Sequence, residues 1–335
     1  METAEKIRVL SSLIDASKRI VISTHTHPDG DALGSSGALY HYLRTVRGKE
    51  CVCVVREPAP ETIAFIGGGD VLVLGPQAIE AADLIISTDY NGFSRAGQSL
   101  EPVLRQSRAK KVLIDHHLNP QESEFDLVFS RAEVSSASEM VYEILRQMPG
   151  IDGNTARLPL SVLDCLMAGM TTDTNNFANS VFPSTLGMAG DLMAAGVDRD
   201  AIVAQLYNRY RPNRVKAIAH ILSNNMVIRP DGLAILIVTK DLWHRFGLME
   251  GELEGMVNIP LTIDEVKVCL YLRESTEQPE MRVSIRSKRG WSAAAMAARY
   301  FHGGGHEQAA GGKLLIPEDI PDAASAAAFA EKVKI

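Results

Sequence analysis

"RIVISTHTHPDGDALGSSGALYHYLRTVRG", residues 19–48, decides the fold. Its opening "RIVIST" is a short apolar run rich in β-branched residues, and "DALGSSGALYHYLRTVRG" repeats apolar residues at intervals of three and four with small residues between. A strand therefore runs into a helix through one short loop. That loop concentrates His25, Asp29 and Asp31, groups that are costly to bury without partners. The same alternation recurs outward. "CVCVV" (51–55), "DVLVL" (70–74), "DLIIST" (83–88) and "KKVLID" (110–115) are continuous apolar runs of the kind buried on both faces of a sheet. Helical spacing lies between them, so the fold class is α/β, with a mostly parallel, doubly wound sheet.

From about 134 to 222 the pattern is mainly helical. "LAILIVT" (233–239), "EVKVCLYLRE" (265–274), "RVSIRS" (282–287) and "GKLLIP" (312–317) then alternate more clearly, which predicts a smaller, mixed α/β domain. The change falls around "YRPNR", giving expected domains of 1–208 and 209–335. "PDAASAAAFAEK" (321–332) reads as an alanine-rich helix.

Length and composition support two cores: 335 residues, 46% of them hydrophobic. The net charge of −7, with no basic tail, argues against coating long nucleic acid and leaves small or short anionic substrates. Cys51, Cys53, Cys165 and Cys269 form no CxxC pair and read as packing residues in a reducing compartment. No apolar run approaches a bilayer span, and "METAEKIRVLSSLIDASKR" reads as a charged amphipathic helix rather than a signal peptide. The expected location is the cytoplasm, with no membrane partner. A homodimer is compatible with the sequence.

Each strand end carries chemistry. His25, Asp29 and Asp31 follow the first strand, Asp89 the fourth, and Asp115, His116 and His117 the fifth; Asp173, in "GMTTDTNNF", ends an apolar helix. Ligands of open α/β sheets bind at the carboxyl edge, so these residues can converge. Carboxylates with imidazoles suit Mn²⁺, Mg²⁺ or Zn²⁺, and acids so close would repel strongly without cations. A lone strand-end Asp is ordinarily a turn former or helix N-cap, a role open to Asp31. The conjunction outweighs that reading, because six of the nine histidines fall within or directly beside these few motifs and the glycine-rich one below.

"HTHPDGDALGSS", "STDYNGFSRAG", "VLIDHH" and "TTDTNNF" resemble, in order, motifs one to four of the DHH phosphoesterase superfamily, and "GGGHEQAAGG" resembles the signature of its DHHA1 domain. The two-domain length and the pairing of "SIRSK" with "GGGH" are most similar to the NrnA-like group, which hydrolyses very short oligoribonucleotides and 3′-phosphoadenosine-5′-phosphate. The resemblance implies two divalent ions, Mn²⁺ before Mg²⁺. His25, Asp29 and Asp89 would hold one; Asp31, Asp89, His116 and Asp173 would hold the other, with Asp89 bridging. His117 would donate to the phosphate or leaving oxygen and Asp115 would orient the histidine pair. His27 lies between two of these ligands, where a polar residue is common. Arg95, Arg286, Ser287, Lys288, Gly304, Gly305 and His306 are the implied substrate-binding positions, in a cleft between the two domains.

In the second domain, residues 282–313 hold Arg282, Arg286, Lys288, Arg289, Arg299 and Lys313 against Glu307, a local charge of +5. Gly303, Gly304 and Gly305 allow backbone N–H groups to approach an anion, and "HEQAAG" is expected to open a helix whose N-terminus favours phosphate. His302 stands where the family often has another glycine. The sequence thus predicts a metal-dependent phosphoesterase acting on short oligoribonucleotides and nucleoside 3′,5′-bisphosphates, without long nucleic acid as a partner. The alternatives are an inorganic pyrophosphatase or exopolyphosphatase, and a nucleotide sensor without hydrolysis.

Overall fold

Along β1 (Arg19–Ser23) side chains alternate between two cores. Ile20 and Ile22 pack into one cluster, and Val21 into another on the opposite face of the sheet. β4 repeats the pattern with Leu84 and Ile86 against Ile85. A strand buried on both faces needs this continuous apolar run. The computed structural model describes residues 3–67 and 72–335 and divides the chain into two units, Met1–Arg209 and Tyr210–Ile335.

The first unit is built on β1, β2 (Glu50–Val55), β3 (Leu72–Leu74), β4 (Leu84–Thr88), β5 (Lys110–Asp115) and β6 (Leu127–Ser130). All six strands are parallel, in the order β3-β2-β1-β4-β5-β6. The order reverses between β1 and β4, which register Ile20 against Leu84. A crevice at the carboxyl ends forms at such a switch point. β6 lies outside the strands predicted from sequence, and Asp70 and Val71 of "DVLVL" lie outside the described residues.

Two helices cover the face that bears the larger core. Gly30–Thr45 and Leu160–Asp173 pack backbone against backbone, because a Cβ at Gly34 would lie 2.6 Å from the Gly169 Cα. This approach carries Asp173, the last residue of its helix, toward the strand ends. The N-terminal helix spans Thr3–Ala16, and the four cysteines are buried and outside any disulfide, as packing residues should be. Among the described residues no helix is long and apolar enough to cross a membrane.

The second unit holds β7 (Met226–Ile228), β8 (Leu233–Val238), β9 (Val268–Glu274), β10 (Glu280–Ser287), β11 (Gly304–Gly305) and β12 (Ala309–Leu315), in the order β11-β12-β10-β9-β8-β7. β8 and β9 are parallel and the other neighbours antiparallel. Strict alternation along β10 sends Met281, Val283 and Ile285 into the core and leaves Arg282 and Arg286 half-buried on the other face.

The region expected to open a helix after the glycines is instead a hairpin. His306 and Ala309 exchange backbone bonds of 2.8 and 3.2 Å around a tip at Glu307 and Gln308. The glycines permit close contact between strands: a Cβ at Gly303 would lie 2.0 Å from the Gly311 carbonyl oxygen. The nearby helix Ala293–Tyr300 begins at Ser292, and its first N–H donates to the Glu307 carbonyl at 2.7 Å.

Candidate metal centre

The β1 loop is shaped by its own polar groups. Asp29 caps the helix Gly30–Thr45, its Oδ1 accepting from the N–H groups of Asp31 and Ala32, both at 3.0 Å. His25 Nδ1 lies 2.8 Å from the Thr26 carbonyl, which can only accept, so Nδ1 carries the proton. Nε2 is thereby left as the basic nitrogen of the neutral ring. His27, at φ +53°, is clamped by Glu57 and turned to another role: Glu57 Oε1 accepts from its N–H at 2.6 Å and faces its Nδ1 at 2.9 Å.

Asp89 joins two halves of the cluster. It follows β4 in the left-handed region, φ +61°, a conformation that costs a non-glycine residue roughly 1 kcal/mol or more. From there Oδ2 lies 3.3 Å from His25 Nε2 and Oδ1 lies 3.5 Å from His116 Nε2. One carboxylate thus presents one oxygen to each imidazole. His25 Nε2 also lies 3.8 Å from Asp29, and His116 Nε2 lies 3.5 Å from Asp173 and 3.9 Å from Asp31.

Three candidate donor sets share this carboxylate; in one of them its companions, Asp115 and His117, already bond each other, and the other two match the expected ligands. Ligand atoms of His25, Asp29 and Asp89 lie within 4.8 Å of one another, as do those of Asp31, Asp89 and His116. Two ligands held at about 2.1 Å from one ion, at right-angle to tetrahedral geometry, are roughly 3.0–3.4 Å apart. The imidazole–carboxylate distances fall at or just beyond that spacing and are mostly long for hydrogen bonds.

The electrostatics call for positive charge. Burial alone would lower the basicity of His116, yet its bond to Asp89 and the charge of Asp173 push it up to about 10. His25, also opposed by burial, is raised well above its ordinary value by Asp29 and Asp89. Burial raises Asp31 well above the carboxylate range, helped by Asp89 and Asp173; burial lifts Asp173 to about 6 against the pull of His116. Asp89 at the centre stays well below its usual value, because the two imidazoles outweigh burial, and Asp29 is lowered too, its bond to His25 outweighing burial. Asp173 also ends a helix, where the dipole disfavours an anion. The buried hydroxyls of Thr24 and Thr88, each one residue before a donor, have no hydrogen-bond partner among the described residues. Carboxylates and imidazoles in this crowding fit divalent cations.

Asp115 is fully buried at the end of β5. Its carboxylate accepts from the His117 N–H at 3.1 Å and bonds Nδ1 at 2.7 Å. His117 Nδ1 lies 3.9 Å from Asp89, so this histidine borders the cluster. Arg95 is exposed, on the turn whose carbonyl accepts from the Thr26 N–H at 2.9 Å.

Sequence reasoning missed the support of Asp31. Its Oδ2 and Oδ1 accept from the N–H groups of Ala137 and Ser138 at 2.6 and 2.9 Å, the start of the helix Ala137–Arg146. The signal was "SASE" (136–139), a Ser with Glu three residues on, which marks a capped helix start.

In the second unit the six basic residues do not form one open patch. Arg282 lies 3.5 Å from Glu250, 3.8 Å from Glu277 and 3.9 Å from Glu280, and Lys313 lies 3.6 Å from Glu280. Lys288 donates to the Ile263 and Asp264 carbonyls, and the Ser287 hydroxyl to the Trp291 carbonyl. Arg286 is half-buried on β10 and donates to the Ile285 carbonyl at 3.0 Å. Gly304 is exposed, with nothing within 4 Å of a Cβ placed there, and Gly305 and His306 complete that edge of the hairpin. His302, at φ +48°, adopts the left-handed conformation natural to glycine and pairs with both Asp319 oxygens at 3.0 Å.

Residues 19–170 match the DHH family, N-terminal domain, and residues 232–331 match the DHHA1 domain. The chain is 30% identical over 317 residues to the bifunctional oligoribonuclease and PAP phosphatase NrnA of Bacillus subtilis, covering 92% of both chains. A crystal structure of an exopolyphosphatase-related protein from Bacteroides fragilis superposes with a TM-score of 0.86 at 30% identity, covering 98% of this chain and 96% of that one. A probable manganese-dependent inorganic pyrophosphatase of Streptococcus thermophilus is 28% identical over 161 residues, 47% of this chain and 48% of that protein.

Proposed function

The chain belongs to the DHH family, as a DHH domain followed by a DHHA1 domain, and we propose from that premise that its substrates are short oligoribonucleotides and nucleoside 3′,5′-bisphosphates. It is a metal-dependent phosphoester hydrolase. The observation that carries the mechanism is Asp89, with one oxygen toward His25 and the other toward His116. His25, Asp29 and Asp89 would hold one divalent cation; Asp31, Asp89, His116 and Asp173 would hold a second. Such a pair, Mn²⁺ or Mg²⁺, would supply a reactive water at neutral pH and would screen the phosphoryl oxygens. Mn²⁺ is favoured by the manganese-dependent relative.

The chain's own residues do the rest. The Thr26 carbonyl keeps His25 Nε2 basic, and the backbone N–H groups of Ala137 and Ser138 hold both oxygens of Asp31. Asp115 fixes the proton of His117 on Nδ1, so Nε2 carries one only when the ring is charged, the state that can protonate a leaving oxygen. Arg286, His306 and the backbone of Gly304 and Gly305 are proposed to hold the non-scissile phosphate and ribose, with Arg95 near the reacting phosphate. Ser287 and Lys288 contribute less, since their polar atoms are already bonded.

A pyrophosphatase reading rests on a relative that matches half of the chain, and it leaves the DHHA1 domain without a task. A sensor reading would need a missing donor, and every donor position is filled. The test is release of mononucleotide or phosphate from a diribonucleotide, a pentaribonucleotide, a long single strand, a 3′,5′-bisphosphate and pyrophosphate at fixed Mn²⁺. The short nucleotides and the bisphosphate should lead; fastest turnover of pyrophosphate or of the long strand would overturn the proposal.

A further inference from the structure

Glu139 is fully buried and belongs to none of the donor sets. Its Oε2 accepts from the Ser135 N–H at 3.0 Å, from the Ser135 hydroxyl and from the Thr185 hydroxyl at 2.7 Å, whereas Oε1 has no hydrogen-bond partner among the described residues. A buried carboxylate bonded on one oxygen alone is expensive, and such groups persist where they fix a geometry. Here the geometry is that of two helix starts. Glu139 lies in the first turn of Ala137–Arg146, whose first two N–H groups hold Asp31. Thr185 lies in the first turn of Pro183–Ala194, where its hydroxyl accepts from the Phe182 N–H at 3.1 Å. The segment from Asp173 to Thr185 is thus anchored at its far end by the carboxylate that braces the support of Asp31.

We propose that Glu139 is a positioning residue for the second cation, acting through Asp31 and the segment that follows Asp173; this rests on the two-cation reading above. The arrangement separates the two donor sets. His25 and Asp29 are held by the β1 loop, independent of Glu139, whereas Asp31 and Asp173 are reached through the two elements it ties together.

The test counts Mn²⁺ bound by the full-length, chelator-stripped protein, reading free ion by electron paramagnetic resonance. Wild type should bind two ions. Glu139→Ala should keep the affinity of one and weaken the other by about 10-fold or more, the usual cost of losing a group that orients ligands. Glu139→Gln, whose amide oxygen can accept the same three bonds, should lie near wild type. A merely structural role would make Glu139→Ala resemble Tyr142→Phe, which removes bonds to Thr155 and Asp191 from the same helix. That control should lower the melting temperature without changing either affinity. If Glu139→Ala does not fold, Thr185→Val removes one of the three bonds and should weaken the same ion by a smaller factor. Unchanged second-ion affinity in the folded variant, or equal weakening of both ions, overturns the proposal. Wild type holding fewer than two ions would instead overturn the two-cation reading, and this inference with it.

Discussion

At the strand ends of the first unit like charges are held together, and around β10 of the second opposite charges have found one another. Asp29, Asp31, Asp89 and Asp173 surround two imidazoles, where two unit charges 4 Å apart interact by roughly 4 kcal/mol at an effective dielectric of about 20. Arg282, by contrast, lies among Glu250, Glu277 and Glu280, in pairs of the kind worth about 0–1 kcal/mol. Folding produces the second arrangement without selection for a task. The first resists folding and is retained for what it holds, so crowded acids mark the site and a run of arginines does not.

Replacing the residue on which the crowding centres should have the largest effect. Asp89→Ala removes an oxygen from both donor sets, so turnover should fall below detection and bound Mn²⁺ should drop in a metal assay. Near wild-type turnover would break the contrast at its root. Arg286→Ala should come next, at about 1.5–3 kcal/mol or roughly 10- to 150-fold in kcat/KM on a dinucleotide, if this arginine grips phosphate. Bis(p-nitrophenyl) phosphate, lacking the distal phosphate and ribose, should barely register the change, and Lys at 286 should rescue only partly.

The metal-free first unit should also respond to pH in a defined direction. His25 and His116 are raised, so the stability they lend is complete below about 6.5 and is lost as pH climbs toward about 10 for His116. Asp31 and Asp173, also raised, lose their neutral form as pH rises and act in the same direction. The melting temperature after chelation should therefore fall from mildly acidic to alkaline pH, and excess Mn²⁺ should flatten the decline. A rise over that range would refute the account of the cluster. The smallest effect belongs to Arg282→Ala: about 0–1 kcal/mol in chemical denaturation and no change in KM.

The strand-end donors were legible in sequence because each lies a few residues past an apolar run, and a parallel sheet brings such ends together. Asp173 was harder, since its place depends on the contact between Gly34 and Gly169. The bonds from Ala137 and Ser138 to Asp31 span more than 100 positions, so no local pattern announced them. The hairpin at Gly303–Gly305 was misread as the approach to a helix because glycine suits both anion contact and tight strand packing, and only the neighbouring strand distinguishes them. The +5 segment was misread because its acids, Glu250, Glu277 and Glu280, precede it in the chain.

The register of β1 with β4, Ile20 against Leu84, has a consequence for how the protein is made. Sixty-four positions separate these neighbours, and closing so large a loop is among the slower events of folding. During synthesis His25, Asp29 and Asp31 emerge well before Asp89, and Asp173 emerges later still. A nascent chain therefore carries its first donors without their counterparts and cannot complete either set until the centre of the sheet has closed. Cation capture would thus be a late event, following the meeting of β1 with β4 and rewarding chains that have reached it with a more stable first unit.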